Sequence, residues 1–394
     1  MCGIVGIMHL DSSPVKESVL QPMTDAIAHR GPDGEGQWVD GPVGLGHRRL
    51  AILDLSEAGR QPMTTPDGRY TVTYNGEVYN FKELRRELEQ LGHDFLSGTD
   101  TEVILHAYVE WREKAVARFN GMFAFAIWDK KQQELFLARD RYGIKPLYWS
   151  LRGNVFAFGS EIKAILAHPR FDAEMDKAGL LEYFTFQNFF SERTLFKGMC
   201  LFPAGHWWEI SLKDGIASKP VEYWDFHFEE PVNSASEEEY IEELDRLFQQ
   251  AVRRQLVSDV EVGAYLSGGM DSGSITAIAA REIPNIKSFT CGFDLHGVSE
   301  LEYGFDERDK AEYMSHLFQT EHYEIVLKAG DMERCLPAFT HHLEEPRVGQ
   351  SYPNWYVAKL ASKFVKVALA GTGGDELFAG YPWRYYRAVT NDHF

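Results

Sequence analysis

No apolar run in these 394 residues approaches the roughly 20 needed to cross a bilayer. Nor does a basic segment followed by an apolar core open the chain, so secretion is not expected. Cysteine is scarce. Cys2, Cys200, Cys291 and Cys335 are scattered without metal-ligand spacing, which argues against a disulfide framework and a zinc site and fits a reducing cytoplasm. Positive charge is in deficit too: 40 Lys and Arg against 59 acids give a formal net charge of −19. That disfavours nonspecific binding to nucleic acid or to an anionic membrane. Any anionic ligand must be gripped locally, by backbone amides, a helix N-terminus or a metal. What remains is a globular composition, 44% hydrophobic and 25% charged, in a chain long enough for two cores.

Cys2-Gly3-Ile4-Val5-Gly6-Ile7 places a cysteine directly behind the initiator methionine, on an apolar strand that holds the terminus in place. Trimming of Met1 leaves a residue with both a thiol and a free α-amine, which titrate near 8.5 and 8. An amine so matched can take the thiol's proton and activate a nucleophile. A lone cysteine near a terminus is more often a small buried hydrophobe, so the sequence downstream has to decide.

Helical sequence over Val15–Ala28 leads into His29-Arg30-Gly31-Pro32-Asp33-Gly34, which reads as a tight loop. Val43–Asp54 reads as a strand with adjacent arginines, Arg48 and Arg49. Strand alternation lets only one of them enter a given pocket, where a guanidinium suits a carboxylate. Tyr70–Tyr74 reads as a strand ending in Asn75-Gly76-Glu77. Asn-Gly is a turn signal, yet it also supplies a side-chain amide and an unobstructed N–H, the two donors of an oxyanion hole. Glu77 can receive an ammonium group. Asp100, before the helix Glu102–Trp111, suits either an N-cap or a second ammonium partner. Strand-like runs at 121–128, 134–139 and 154–158 complete a largely antiparallel α+β domain.

Ser234-Ala235-Ser236-Glu237-Glu238-Glu239, serine with glutamates behind it, opens a helix reaching Gln255. The buried strand Val262–Leu266 then runs into Ser267-Gly268-Gly269-Met270-Asp271-Ser272 and an apolar helix. Strand, glycine turn and helix aim backbone N–H groups at an anion. The turn lacks the lysine and spacing of a Walker loop, and it lacks the dinucleotide fingerprint. Its compact form suits pyrophosphate. Strands at 286–293, 322–326 and 365–369 alternate with helices, predicting a doubly wound parallel sheet. Gly371-Thr372-Gly373-Gly374-Asp375-Glu376 would face the same crevice, with acids suited to Mg²⁺ beside phosphates.

From Cys2 to about Tyr381 the conjunction resembles the glutamine-hydrolysing asparagine synthetases. These join an N-terminal-nucleophile glutaminase domain to an ATP-pyrophosphatase-type synthetase domain, implying boundaries here of 2–215 and 236–394. The resemblance implies Cys2 as nucleophile and Arg49, Leu50, Ile52 and Leu53 around glutamine, Arg49 clamping its carboxylate. Asn75 and Gly76 would form the oxyanion hole, and Glu77 and Asp100 would hold the ammonium. Tyr265, Ser267, Gly268, Gly269, Asp271, Ser272, Cys291, Ala370 and Gly371 would bind ATP or pyrophosphate, with Asp271 and Asp375 on Mg²⁺. Glutamine, aspartate and ATP are the implied substrates, and a homodimer is compatible with the family. The sequence departs from the family at Thr372, where an acid is usual. This leaves open another acceptor, such as a surface-polysaccharide sugar acid, or a synthetase-deficient regulatory homologue. The chain also stops at Phe394, short of a full synthetase domain, and a truncated second domain is expected.

Overall fold

Alternation along the opening strand sets the layers of the first half. In β1 (Gly3–His9), Ile4 and Met8 face one way and Val5 and Ile7 the other, and all four are fully buried. A strand covered on both faces requires this pattern. The computed structural model describes residues 1–216, 218–229, 235–295, 306–347 and 351–381. The chain divides into two units: Met1–Val232 with Leu343–Arg347, and Asn233–His342 with Val348–Phe394. No helix among the described residues is long and apolar enough to cross a membrane.

In the first unit β1 is followed by β2 (Gly34–Asp40), β3 (Val43–Arg49), β4 (Met63–Thr64), β5 (Tyr70–Val78), β6 (Gly121–Asp129) and β7 (Glu134–Arg139). Then come β8 (Tyr148–Arg152), β9 (Val155–Gly159), β10 (Met199–Leu201), β11 (His206–Ser211) and β12 (Val221–Glu222). They form two six-stranded antiparallel sheets, ordered β10-β8-β9-β1-β3-β2 and β12-β11-β7-β6-β5-β4. Ile4, Met8 and Leu45 of one sheet pack with Ala126, Trp128 and Trp208 of the other. Val5 and Ile7 instead meet Leu20 and Met23 of the helix Glu17–Asp25 and Ile162 and Ile165 of the helix Ile162–Leu166. The helix Asp100–Trp111 packs on β5.

Two expectations change here, and both changes matter for the site. Asn75-Gly76 does not turn the chain: β5 runs straight through, pairing Asn75 with Ala124 and Gly76 with Phe123. A Cβ on Gly76 would stand 2.3 Å from the Met122 carbonyl oxygen and 2.8 Å from the Tyr74 ring. Glycine is needed there for close approach inside a sheet. The strand expected over Val43–Asp54 stops at Arg49, and the chain leaves the sheet at Leu50.

In the second unit β13 (Val262–Tyr265), β14 (Lys287–Phe293), β15 (Glu321–Leu327) and β16 (Val367–Leu369) form one parallel sheet, ordered β15-β14-β13-β16. The helix Glu237–Gln255 opens with a capping box between Ser236 and Glu239. Its Val252 joins Ile278 and Ala279 of the helix Met270–Glu282 over Ala264. Tyr265, the next residue, belongs to the other cluster, with Val357 and Ala361 of the helix Ser351–Ala361. Adjacent strand residues face opposite ways, so both faces carry helices. The chain steps from β13 to β14 on one side and returns to β16 on the other, which creates a switch point beyond the ends of β13 and β16.

Candidate active site

The early end of β3 wraps backbone around the cysteine. The Leu50 N–H donates to Cys2 Sγ at 3.3 Å, and the thiol lies 3.6 Å from the Leu50 carbonyl oxygen. The two arginines diverge as alternation requires. Arg48 pairs with Asp25 and Glu35. Arg49 donates to the carbonyls of Ser56 (2.8 Å), Leu53 (3.3 Å) and Asp54. These contacts take three of its five N–H donors. Cys2, Arg49, Leu50, Ile52, Leu53, Gly76, Glu77 and Asp100 line one cavity together with Gln61, Tyr74, Thr99 and Thr101. It holds ≈ 340 Å³ of empty space, part of it open to solvent.

Strand geometry fixes which way the Gly76 N–H points. N–H groups two residues apart leave the same edge of a strand. The Tyr74 N–H reaches Gln61 Oε1 at 2.7 Å and the Val78 N–H reaches Asp100 Oδ2 at 2.9 Å, both away from β6. Gly76 lies between them, so its N–H leaves by that same edge, toward the cavity. Asn75 does not line the cavity. It is 1% exposed, and neither atom of its side-chain amide has a hydrogen-bond partner among the described residues. A buried orphan amide of this kind calls for an explanation.

Asp100 is not the helix cap. Thr99 takes that role, its hydroxyl accepting the Glu102 N–H. The Asp100 carboxylate instead accepts the Tyr74 hydroxyl at 2.6 Å and the Val78 N–H. Burial pushes Asp100 up to about 6. Burial, and then the nearby Asp100 charge, push Glu77 well above the usual carboxylate range. Two acids facing one pocket with raised pKa values are short of a cation. Lys145, 4% exposed, supplies part of it, with burial pulling its ammonium down to about 8 against the pull of Glu77.

Sequence reasoning passed over several groups that hold this pocket. The loop His29–Gly34, read as a plain turn, supplies Arg30, whose Nε donates to the Cys2 carbonyl at 2.9 Å. It also supplies Asp33, which accepts the Ala51 N–H at 2.9 Å. Lys145 is placed by Asp140, a fully buried carboxylate that accepts four backbone N–H groups, from Phe123, Tyr142, Ile144 and Lys145. The available signal was the charged run Arg139–Lys145 at the end of an apolar strand. Burial also alters the expected match of thiol and amine. It raises the Cys2 thiol above its usual value, and with Met1 attached it lowers the terminal amine to about 6.

The second cluster sits at the switch point. The helix expected after Ser272 starts already at Met270, so Ser267–Gly269 is the turn and Asp271 and Ser272 lie in the helix's first turn. The Ser272 hydroxyl accepts the Ser267 N–H at 3.1 Å, and the Ser267 hydroxyl accepts the Gly269 N–H at 3.1 Å. The loop after β16 closes on this turn. A Cβ on Gly371 would stand 2.7 Å from the Ser272 nitrogen, and one on Gly374 would stand 2.4 Å from the Asp271 carboxylate. Tyr265 ends β13 and Cys291 lies on β14, its half-buried thiol pushed up to about 11 by burial. Thr372 is exposed on the second loop. Among the described residues no three His, Cys, Asp or Glu side chains converge as a metal cage. Asp271 and Asp375, expected to hold Mg²⁺, lie in the helices that open after the two loops.

Residues 1–224 match the glutamine amidotransferase domain family, and residues 243–394 match the asparagine synthase family. The Bacillus subtilis glutamine-hydrolyzing asparagine synthetase 3 is 39% identical over 97% of this chain, which spans 64% of that relative's length. A Methanocaldococcus jannaschii protein, assigned by name to the glutamine-hydrolyzing asparagine synthetases, is 35% identical over 97% of this chain, which spans 76% of it. Among solved structures, the glutamine phosphoribosylpyrophosphate amidotransferase of B. subtilis is similar at a TM-score of 0.42 and 18% identity, over 73% of this chain and 65% of that one.

Proposed function

We propose that this chain, which belongs to the glutamine-hydrolysing asparagine synthetase family, releases ammonia from glutamine at Cys2 and uses it at an ATP-dependent site to amidate aspartate. The carrying observation is the first cavity. A sulfur, a guanidinium and two acids of raised pKa share one pocket, and an unpartnered buried amide lies in the strand beside it.

The zwitterionic end of glutamine suits the two walls. Arg49 takes the carboxylate, while Glu77 and Asp100 receive the ammonium, whose charge favours their ionised forms. Cys2 Sγ attacks the side-chain carboxamide carbon. The resulting oxyanion would be stabilised by the Gly76 N–H, which leaves its strand toward the cavity, and by the Asn75 amide, whose two polar atoms have no hydrogen-bond partner among the described residues. Ammonia leaves, a glutamyl thioester remains, and water releases glutamate. Removal of Met1 frees the Cys2 amine amid the same burial and the same cations, Arg30 and Lys145, that lower the Met1 amine. A neutral amine beside a protonated thiol is a general base at the moment of attack.

At the crevice the N–H groups of Ser267–Ser272 suit pyrophosphate, and Tyr265, Cys291, Ala370 and Gly371 would line the nucleotide. Asp271 and Asp375 would hold Mg²⁺, whose chemistry there is charge neutralisation on the phosphates. Aspartate would attack the ATP α-phosphorus, giving aspartyl-adenylate and pyrophosphate. Ammonia then displaces AMP to give asparagine. Thr372 favours a second reading in which another carboxylate is the acceptor.

The test is turnover of purified protein with glutamine, ATP and aspartate, with the intact mass recorded. Loss of Met1, glutamate release that Cys2→Ala abolishes, and aspartate-dependent AMP formation are expected. Glutaminase activity without asparagine, whatever the aspartate concentration, would discard aspartate as acceptor. Glutamate release by Cys2→Ala would discard Cys2 as nucleophile.

A further inference from the structure

A line of buried charges runs from a distant part of the sequence to the backbone of Cys2. Residues Leu343–Arg347 belong to the first unit, although the chain on both sides of them belongs to the second. Within this segment the Glu344 carboxylate accepts the N–H groups of Ile162 (2.7 Å) and Lys163 (2.6 Å) and pairs with Lys163 Nζ at 3.0 Å. Lys163 pairs in turn with Glu161, Glu161 with Arg30 at 2.8 Å, and Arg30 Nε donates to the Cys2 carbonyl. The four side chains are only 8–13% exposed. Glu344 also holds a left-handed backbone, φ 64°, which a glutamate rarely adopts.

The charges are arranged so that each cation lies against an acid. His29 also reaches Glu161. Burial alone would raise Glu161, but His29, Arg30 and Lys163 together hold it well below the usual carboxylate range. Glu161 is therefore the shared anchor, and Arg30 and Lys163 compete for it. Glu344 draws on Lys163 and leaves one Glu161 oxygen to Arg30. Without the Glu344 charge, Lys163 falls back wholly on Glu161, and a buried positive charge is left uncompensated. Arg30 then loses the partner that fixes its grip on the Cys2 carbonyl, one of the contacts that hold the Cys2 backbone in the pocket.

We infer that Glu344 is a positioning residue for the nucleophile, acting through Lys163, Glu161 and Arg30, so that sequence flanked by the second unit supports the chemistry of the first. The inference rests on Cys2 being the nucleophile.

Iodoacetamide alkylation of Cys2, followed by mass spectrometry from pH 6 to 9, reads the thiol's reactivity without requiring turnover. Glutaminase kcat and KM are measured alongside. Glu344→Gln is expected to slow alkylation at pH 8 and lower kcat by about tenfold or more, with KM within about twofold. The double variant Glu344→Gln/Lys163→Gln, which restores the charge balance around Glu161, is expected to recover most of both. Wild-type alkylation in Glu344→Gln overturns the inference while leaving Cys2's role intact. A raised KM at unchanged kcat also overturns it. Should the single variant fail to fold, the double variant decides, and slow alkylation there refutes the charge-balance argument.

Discussion

Asn75→Leu should make the protein more stable and less active, a combination that follows from one observation. The Asn75 amide is buried to 1% exposure, and neither of its polar atoms has a partner among the described residues. Each buried group left without a hydrogen bond costs about 1–3 kcal/mol, and leucine fills nearly the same space with no polar atom to desolvate. Recovering about 2 kcal/mol in a unit of this size corresponds to a rise of roughly 4–8 °C in Tm. The same substitution removes one of the two proposed oxyanion donors, so kcat for glutamine should fall by about 10²–10³ with little change in KM. Calorimetry and a glutamate-release assay on one preparation report both numbers. A lower Tm would mean that the amide is hydrogen-bonded in the folded protein, by ordered water or otherwise, and the reasoning would fail. Unchanged kcat would remove Asn75 from the oxyanion hole.

Asp100→Asn should show its effect through pH. Burial raises the Asp100 pKa to about 6, above its unfolded value. Its stabilising contribution is therefore complete below about pH 4 and is lost as pH rises through about 6, a swing of about 3 kcal/mol. The asparagine variant does not titrate, so its stability relative to wild type should grow from pH 4 to pH 7 in urea titrations; a pH-independent difference would refute the shift. The same variant should raise KM for glutamine, and wild-type glutamine affinity should weaken as pH falls below about 6, measured by initial rates. Gly371→Ala drives a Cβ to 2.7 Å from the Ser272 nitrogen, so ATP-dependent pyrophosphate release should drop at least tenfold while glutaminase turnover stays within twofold. Loss of both activities would show that the loop is needed for folding. Asp271→Ala should behave the same way, and preserved ATP use in it would place the phosphates elsewhere.

Much of this molecule is written locally. The apolar alternation of β1, the β-branched run of β5 and the strand–glycine–helix passage at Val262–Glu282 depend on neighbours a few residues apart, and each forms, although β5 runs on past Tyr74 and the helix begins at Met270. The proposed pairing of thiol and amine on Cys2 is local in the same sense, since both would belong to one residue, although burial shifts the titration of the thiol. So is the divergence of Arg48 and Arg49, which strand alternation dictates.

Tertiary contacts decided the remainder. Asn75-Gly76 looks like a turn because its local preference is strong, yet β6 approaches so closely that glycine is required and the strand continues. Arg30, Asp140 and Lys145 escaped notice because each acts on a group far away in sequence. Glu344 reaches Lys163 across 181 residues. A period or a cap is set by the chain's immediate geometry. The position of a buried charge is set by whichever opposite charge the finished fold brings alongside, and no local pattern carries that information.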